Sequence, residues 1–206
     1  MTVKEIFDLR KQGKIEEAYE AIRPQYAVHK GKYTTLCMFW TASDILKKRV
    51  KEGRQDEALK IFKALLRILP NLEDADGRAH SSIYYEAVML SREMTVGSDC
   101  AQPAPTFMLD FVEQIKVEQM SDTDWKGLSP LPSPNGKGSG RQLPPVARQL
   151  LERAFVELEQ CPTIDNALKV MPLLQESVRR EPNNQDNRRY MDIIYRIMGK
   201  TEQTER

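Results

Sequence analysis

The sequence predicts an all-α chain of about nine helices arranged as repeated helix pairs with one long loop, and three observations predict it. The segment Gly13–Ile22 recurs at Gly53–Phe62, so that Gly13, Ala18 and Ile22 align with Gly53, Ala58 and Phe62. Apolar residues elsewhere recur at helical spacing, and no run alternates as a half-buried strand would. Proline, glycine and serine, which interrupt helices, are concentrated in one stretch, residues 121–145.

The repeated segment explains the first two pairs, near residues 2–28 and 33–70. In each, the glycine closes one helix, because without a Cβ it adopts φ > 0 freely. Glu16 and Glu17, or Asp56 and Glu57, then occupy the first turn of the next helix, where its dipole favours negative charge. Ala18 and Ala58 are small enough for two antiparallel helices to cross closely, and Ile22 and Phe62 follow one turn later on the same face. A third, irregular pair is expected over 78–120. Ile83, Tyr84, Ala87 and Leu90 give one helical stripe, Phe107, Met108, Phe111 and Ile115 another, with a break at residues 97–104. Residues 121–145 read as a flexible loop, tacked to the body by Trp125 and Leu128. A fourth pair, 144–181, is expected from Leu151, Ala154, Phe155 and Leu158 and from the spacing of Ala167, Met171 and Leu174. Asp186 or Asn187 then caps a closing helix, 186–199, that buries Tyr190, Ile193, Ile194 and Ile197. The expected organisation is therefore repeats over 1–120, a loop over 121–145, and over 146–206 a helix pair plus capping helix stacked on the same array.

The second pair resembles the tetratricopeptide repeat family. With Phe39 as the first residue of a unit, Gly53, Ala58, Phe62, Leu65 and Pro70 fall on the family's loop Gly, helix-B Ala, Phe, apolar and terminal Pro positions. Ala42, Ile45, Leu46 and Arg49 depart from its first-helix pattern, and the 40-residue offset exceeds the usual 34, which together mark a divergent, irregular array. The resemblance implies a right-handed superhelical solenoid.

Composition narrows the function. With 40% hydrophobic and 30% charged residues the chain is expected to be globular with charged outer faces. Its first residues alternate charge too often for a secretory signal, and no apolar stretch approaches the length of a membrane span. Cys37, Cys100 and Cys161 form no C-x-x-C pair, so neither a disulfide framework nor a zinc site is expected, and a cytoplasmic location is. The near-neutral net charge of +1 covers a basic residue range 1–70, an acidic range 71–125 and a mildly basic range 126–206, a layout suited to attraction within the fold.

Tests for chemistry give no catalytic residue, no metal and no cofactor. Asn135–Gly140 lacks the order of a phosphate loop. Residues 72–77 would place Leu72 and Ile83 at the coordinating ends of a calcium loop, so they read as a turn with capping acids. His29 and His80 belong to no metal-binding motif, and read as surface or helix-end residues.

The expected function is a non-catalytic protein-interaction scaffold. The resemblance implies that the first helix of each pair lines a concave groove holding a peptide or partner helix. Trp40, Ser43, Lys47 and Lys51 then face that groove and suit an acidic segment or a C-terminal carboxylate. The alternative is an accessory nucleic-acid-binding domain of a nucleic-acid-processing or defence system. Lys47, Lys48, Arg49, Lys51 and Arg54 cluster near Phe39 and Trp40, although the acidic middle range and near-neutral charge oppose a long polyanion.

Overall fold

A computed structural model describes residues 1–74, 77–96, 106–126 and 144–202, without the side chains of 95–96 and 200–202. Every regular element among them is helical, and the chain divides into two compact units, Met1–Val96 and Gly97–Arg206.

The first unit contains α1 (Val3–Lys11), α2 (Ile15–Val28), α3 (Lys32–Lys51), α4 (Gln55–Ile68) and α5 (Arg78–Val96). Thr2 and Glu5 open α1 with a capping box, each side chain holding the other's backbone N–H. The two repeated turns have one geometry. Gly13 and Gly53 sit at φ 79° and 72°. Gly13 N–H donates to the Arg10 carbonyl and Lys14 N–H to that of Leu9; Gly53 donates to Val50 and Arg54 to Arg49 in the same way. This double bond pattern is the Schellman motif, and it satisfies carbonyls that the helix end leaves open. The next helix begins at once, with Ala18 N–H on the Lys14 carbonyl and Ala58 N–H on that of Arg54. Ala18, Ile22, Ala58 and Phe62, at 0–1% exposure, lie in the core as the repeat requires.

Helix α3 is the axis of this unit. It packs against α2 and α4, its neighbours in sequence, and against α1 and α5, the next helices out on either side. Contact on so many sides buries residues around most of its circumference, including Thr34, Thr35, Thr41 and Ser43 alongside Phe39, Ala42, Ile45 and Leu46. Complete burial of a side chain such as Phe39 or Phe62 contributes roughly 2–3 kcal/mol.

The second unit contains α6 (Phe107–Glu113), α7 (Asp122–Lys126), α8 (Val146–Gln160), α9 (Ile164–Arg180) and α10 (Gln185–Glu202). Helices α6, α8 and α9 pack against one another, α10 packs on α9, and α7 on α8. Leu150, Ala154, Leu158, Ala167, Val170 and Leu174 fill the centre at 0% exposure, and Phe155 stacks on Tyr190 with centroids 4.1 Å apart. The start of α6 is capped from a distance: buried Glu157, on α8, accepts the backbone N–H groups of Met108 and Leu109 at 2.8 and 3.1 Å. Thr163 caps α9 through Asn166 N–H. Between α9 and α10, Asn187 accepts the Ser177 hydroxyl and donates to the Glu181 carbonyl.

Three expectations change. The segment 78–120 does not act as one pair: α5 belongs to the first unit and packs on α3 and α4, whereas α6 belongs to the second. The Glu157 cap and a 2.6 Å ion pair between Lys169 and Asp110 tie α6 to α8 and α9. The start of the expected loop is also ordered, since residues 122–126 form α7 with Trp125 buried, while Leu128 and the Asn135–Gly140 segment lie outside the described residues. Finally, α10 begins at Gln185, so that Asn187 is buried inside it rather than capping it; Asn184 accepts the Asp186 N–H at its entry.

Candidate functional site

Along one face of helix α3, Leu36, Trp40, Asp44, Lys47 and Lys51, spaced three or four residues apart, are all at least partly exposed. Trp40 packs edge-on against buried Phe39, centroids 5.1 Å apart and planes at 88°, and stays partly exposed. Beside it lies a cleft of about 250 Å³ lined by Leu36, Trp40, Leu72, Glu73, Asp74, Arg78 and Ala79. Its walls come from α3, the start of α5 and the turn before α5. That turn is built by Asp74, whose carboxylate accepts the Ala79 and His80 N–H groups and lies 2.6 Å from His80 Nδ1. Burial works to raise the Asp74 pKa, but the two amides and the imidazole outweigh it and leave it lowered.

Of the four residues expected in a groove, Trp40, Lys47 and Lys51 share the exposed stripe, and Ser43 does not. Ser43 is fully buried against α5, where its hydroxyl donates to Glu86 Oε1. The reason is the packing of α3 against α5, which covers the side of α3 that a free groove face would leave open.

Glu86 is the residue the sequence reading missed. At 1% exposure it accepts hydroxyl bonds from Ser43 and from Ser82, and Lys47 Nζ lies 3.5 Å from the same oxygen, Oε1. Its other oxygen, Oε2, is buried without a hydrogen-bond partner. Burial raises the pKa of this carboxyl against the lowering pull of Ser43, Lys47 and Ser82. Lys47 thus has two roles, emerging at the stripe while standing over a buried acid. The only signal for this in the sequence is an acid within the apolar run Ile83–Leu90.

The basic cluster at the end of α3 is largely consumed within the fold. Arg49, whose side chain is 11% exposed, binds Glu16 through two bonds of 2.7 and 3.0 Å and also meets Glu52 and Glu57. Lys48 pairs with Glu16, and Arg54 with Glu57. Arg49 is therefore not a solvated cation: the first-turn acids of both repeats, Glu16 and Glu57, converge on it. Hydrogen bonding from Arg49, opposed by burial, pulls the Glu16 carboxyl down to about 2. Lys51 alone of the five cations has no ion pair among the described residues.

His80 joins Asp74 in the turn, a pairing hidden from a local motif search, and His29 ends α2 at an exposed position. Cys37 and Cys161 are free thiols, and burial raises the pKa of Cys37. Among the described residues no three His, Cys, Asp or Glu side chains are grouped to hold a metal ion, and no helix is long and apolar enough to cross a membrane. Comparison with known proteins gives no match to a family model, a curated protein or a solved structure.

Proposed function

We propose that this chain is a non-catalytic interaction scaffold whose first unit is a divergent tetratricopeptide-like array, and that it binds an extended peptide or partner helix along the exposed stripe of α3. The observation that carries this reading is the alignment on one helix face of a partly exposed aromatic ring, a neighbouring cleft and a cation without an ion pair among the described residues: Trp40, Leu36 and Lys51. Aromatic anchors with an apolar pocket supply contact area, and a charge beyond them sets polarity and register. From Trp40 to Lys51 the helix rises about 16 Å, the span of about five residues of extended chain. A ligand with an apolar side chain at the cleft and an acidic group near Lys51 matches that layout. The ion pairs of Lys48, Arg49 and Arg54 leave little free positive charge for nucleic acid, which favours a protein partner.

Affinity capture with the full chain, compared with a Trp40→Ala/Lys51→Glu variant, tests the reading. Lys51 is a better target than Lys47, because a Lys47→Glu change would set a second acid against buried Glu86 and confuse binding with folding. At least one captured protein is expected to disappear with the double variant while helix content is unchanged. Identical captured sets, or salt-dependent binding of single-stranded DNA or RNA that the variant abolishes, would sink the proposal.

A further inference from the structure

Helix α10 has two unlike sides. Asn187, Tyr190, Ile193 and Ile194 are buried, whereas Tyr195 is 63% and Met198 37% exposed, with Met191 partly exposed one turn before Tyr195. On the neighbouring helix, Leu168 is 52% exposed and Met171 partly so. The Ser177–Asn187 bond sets the register of these consecutive helices. Counting equally outward from it along both helices brings Leu168 level with Arg196, so α9 and α10 each carry exposed apolar residues at the same height. Exposed large side chains standing singly need no explanation, but several at one height on two packed helices point to a contact surface.

The charges beside this group suggest what covers it. Asp192 and Arg196, both exposed, lie one turn apart on the same side of Tyr195's row, and neither has a side-chain ion pair among the described residues; Arg196 Nε reaches only the Asp192 backbone carbonyl, at 3.3 Å. Opposite charges disposed in this way are self-complementary under one operation. If a second α10 lies antiparallel across a two-fold axis near residue 194, Asp192 of each copy faces Arg196 of the other, and both pairs form at once. A parallel arrangement in the same register would oppose like charges.

We infer that the outer face of α9 and α10 is a homodimer surface, on which α10 packs antiparallel against α10 of a second copy, with Tyr195 and Met198 in contact and two Asp192–Arg196 pairs at the rim. The surface lies in the second unit and is independent of the α3 stripe, so either assignment can fail without the other.

Sedimentation or light scattering of the full chain tests it. Over roughly 1–100 µM the mass is expected to rise from the 23.7 kDa of one chain towards twice that value. Tyr195→Asp should hold it at the monomer. Asp192→Arg and Arg196→Asp should each weaken dimerisation about tenfold or more, because each sets like charges in apposition twice. The double reversal Asp192→Arg/Arg196→Asp restores the pairing and should recover the wild-type dissociation constant. Exposed positions make misfolding a minor concern, and recovery in the double variant separates pairing from folding in any case. A wild-type chain that stays monomeric throughout, a dimer indifferent to Tyr195→Asp, or a double reversal no better than its parents overturns the inference, whatever else binds this face.

Discussion

The two units differ in how far along the chain the contacts that hold their helix ends reach: in the first, even the side-chain caps of Thr2, Glu5 and Asp74 are local. In the first, two hairpins close with the same local turn, a positive-φ glycine between a helix end and a basic residue that starts the next helix. In the second, side chains hold the helix ends, one of them from 49 residues away: Glu157 on α8 serves the start of α6, while Asn187 of α10 ties back to the end of α9. A local turn is written in consecutive residues and can be copied by duplication. A distant cap depends on the fold being in place, so its loss should be felt across the unit.

The largest effect is therefore expected at Glu157. Replacing it by alanine leaves two buried amides without their charged acceptor and should cost about 3 kcal/mol. Chemical denaturation would report the loss, and hydrogen exchange would locate it, with faster exchange at Met108 and Leu109 and unchanged protection in α2 and α4. Equal protection of α6 in the variant and wild type would remove the contrast between the units.

Next in size are the two glycine turns. Gly13→Ala and Gly53→Ala should each cost about 1–2 kcal/mol, since φ near +75° is unfavourable for any residue with a Cβ. No atom lies within 4 Å of the added methyl at either site, so the cost is conformational and should be alike in both. Gly199→Ala supplies the counterpart: inside α10, with open space around it, it should stabilise by about 0.5–1 kcal/mol. Thermal unfolding of the three variants reads all of this, and a large difference between Gly13→Ala and Gly53→Ala would show that the turns are equivalent in shape alone.

These cases also explain what was legible in the sequence. Gly13, Ala18, Gly53 and Ala58 could be read because the bonds that close their turns span a few residues; the acids after each glycine were legible as first-turn residues, but not the pairing of Glu16 with Arg49, 33 residues away. The all-helical class and the burial of Tyr190, Ile193 and Ile194 followed from periodicity. The boundary at Val96 could not be read, because α6 owes its placement to Glu157 and Lys169, 48 or more residues further on. On the candidate site, Trp40, Lys47 and Lys51 were legible as one face of a helix. Ser43 was misassigned because α3 touches four helices and has no single buried side, and Glu86 was missed because its partners Ser43 and Lys47 lie in another helix.

Arg49 offers a smaller and pH-dependent effect. The Glu16 carboxyl, held at about 2 against an ordinary value of 4.5, favours the fold in its charged form. That contribution is complete above pH 4.5 and is lost as pH falls towards 2. Because Glu16 is 41% exposed, solvent screening limits the pair to about 1 kcal/mol. Arg49→Met should lower stability by that amount at neutral pH and flatten the acid side of the stability profile. An unchanged acid limb in Arg49→Met would mean that Lys48, 3.0 Å from Glu16, suffices.

The smallest expected effect comes from the other buried glutamate and sharpens the comparison most. Glu86 differs from Glu157 in having one buried oxygen without a partner, and burial raises its pKa above the usual 4.5. The fold thus favours the protonated form. The stability linked to this group is present below pH 4.5 and declines as pH rises through the elevated folded value. Glu86→Gln keeps an acceptor for Ser43 and Ser82, removes the buried charge and gives up the Lys47 pair. At neutral pH these changes oppose one another and should leave stability within about 1 kcal/mol of wild type, whereas Glu157→Gln should be clearly destabilising. Relative to wild type, Glu86→Gln should also fare better at pH 7 than at pH 4. Denaturation of both glutamine variants at the two pH values checks this. A Glu86→Gln penalty as large as that at Glu157 would mean that the Lys47–Glu86 pair holds α3 to α5, and that this part of the first unit depends on a long-range charged contact just as α6 does.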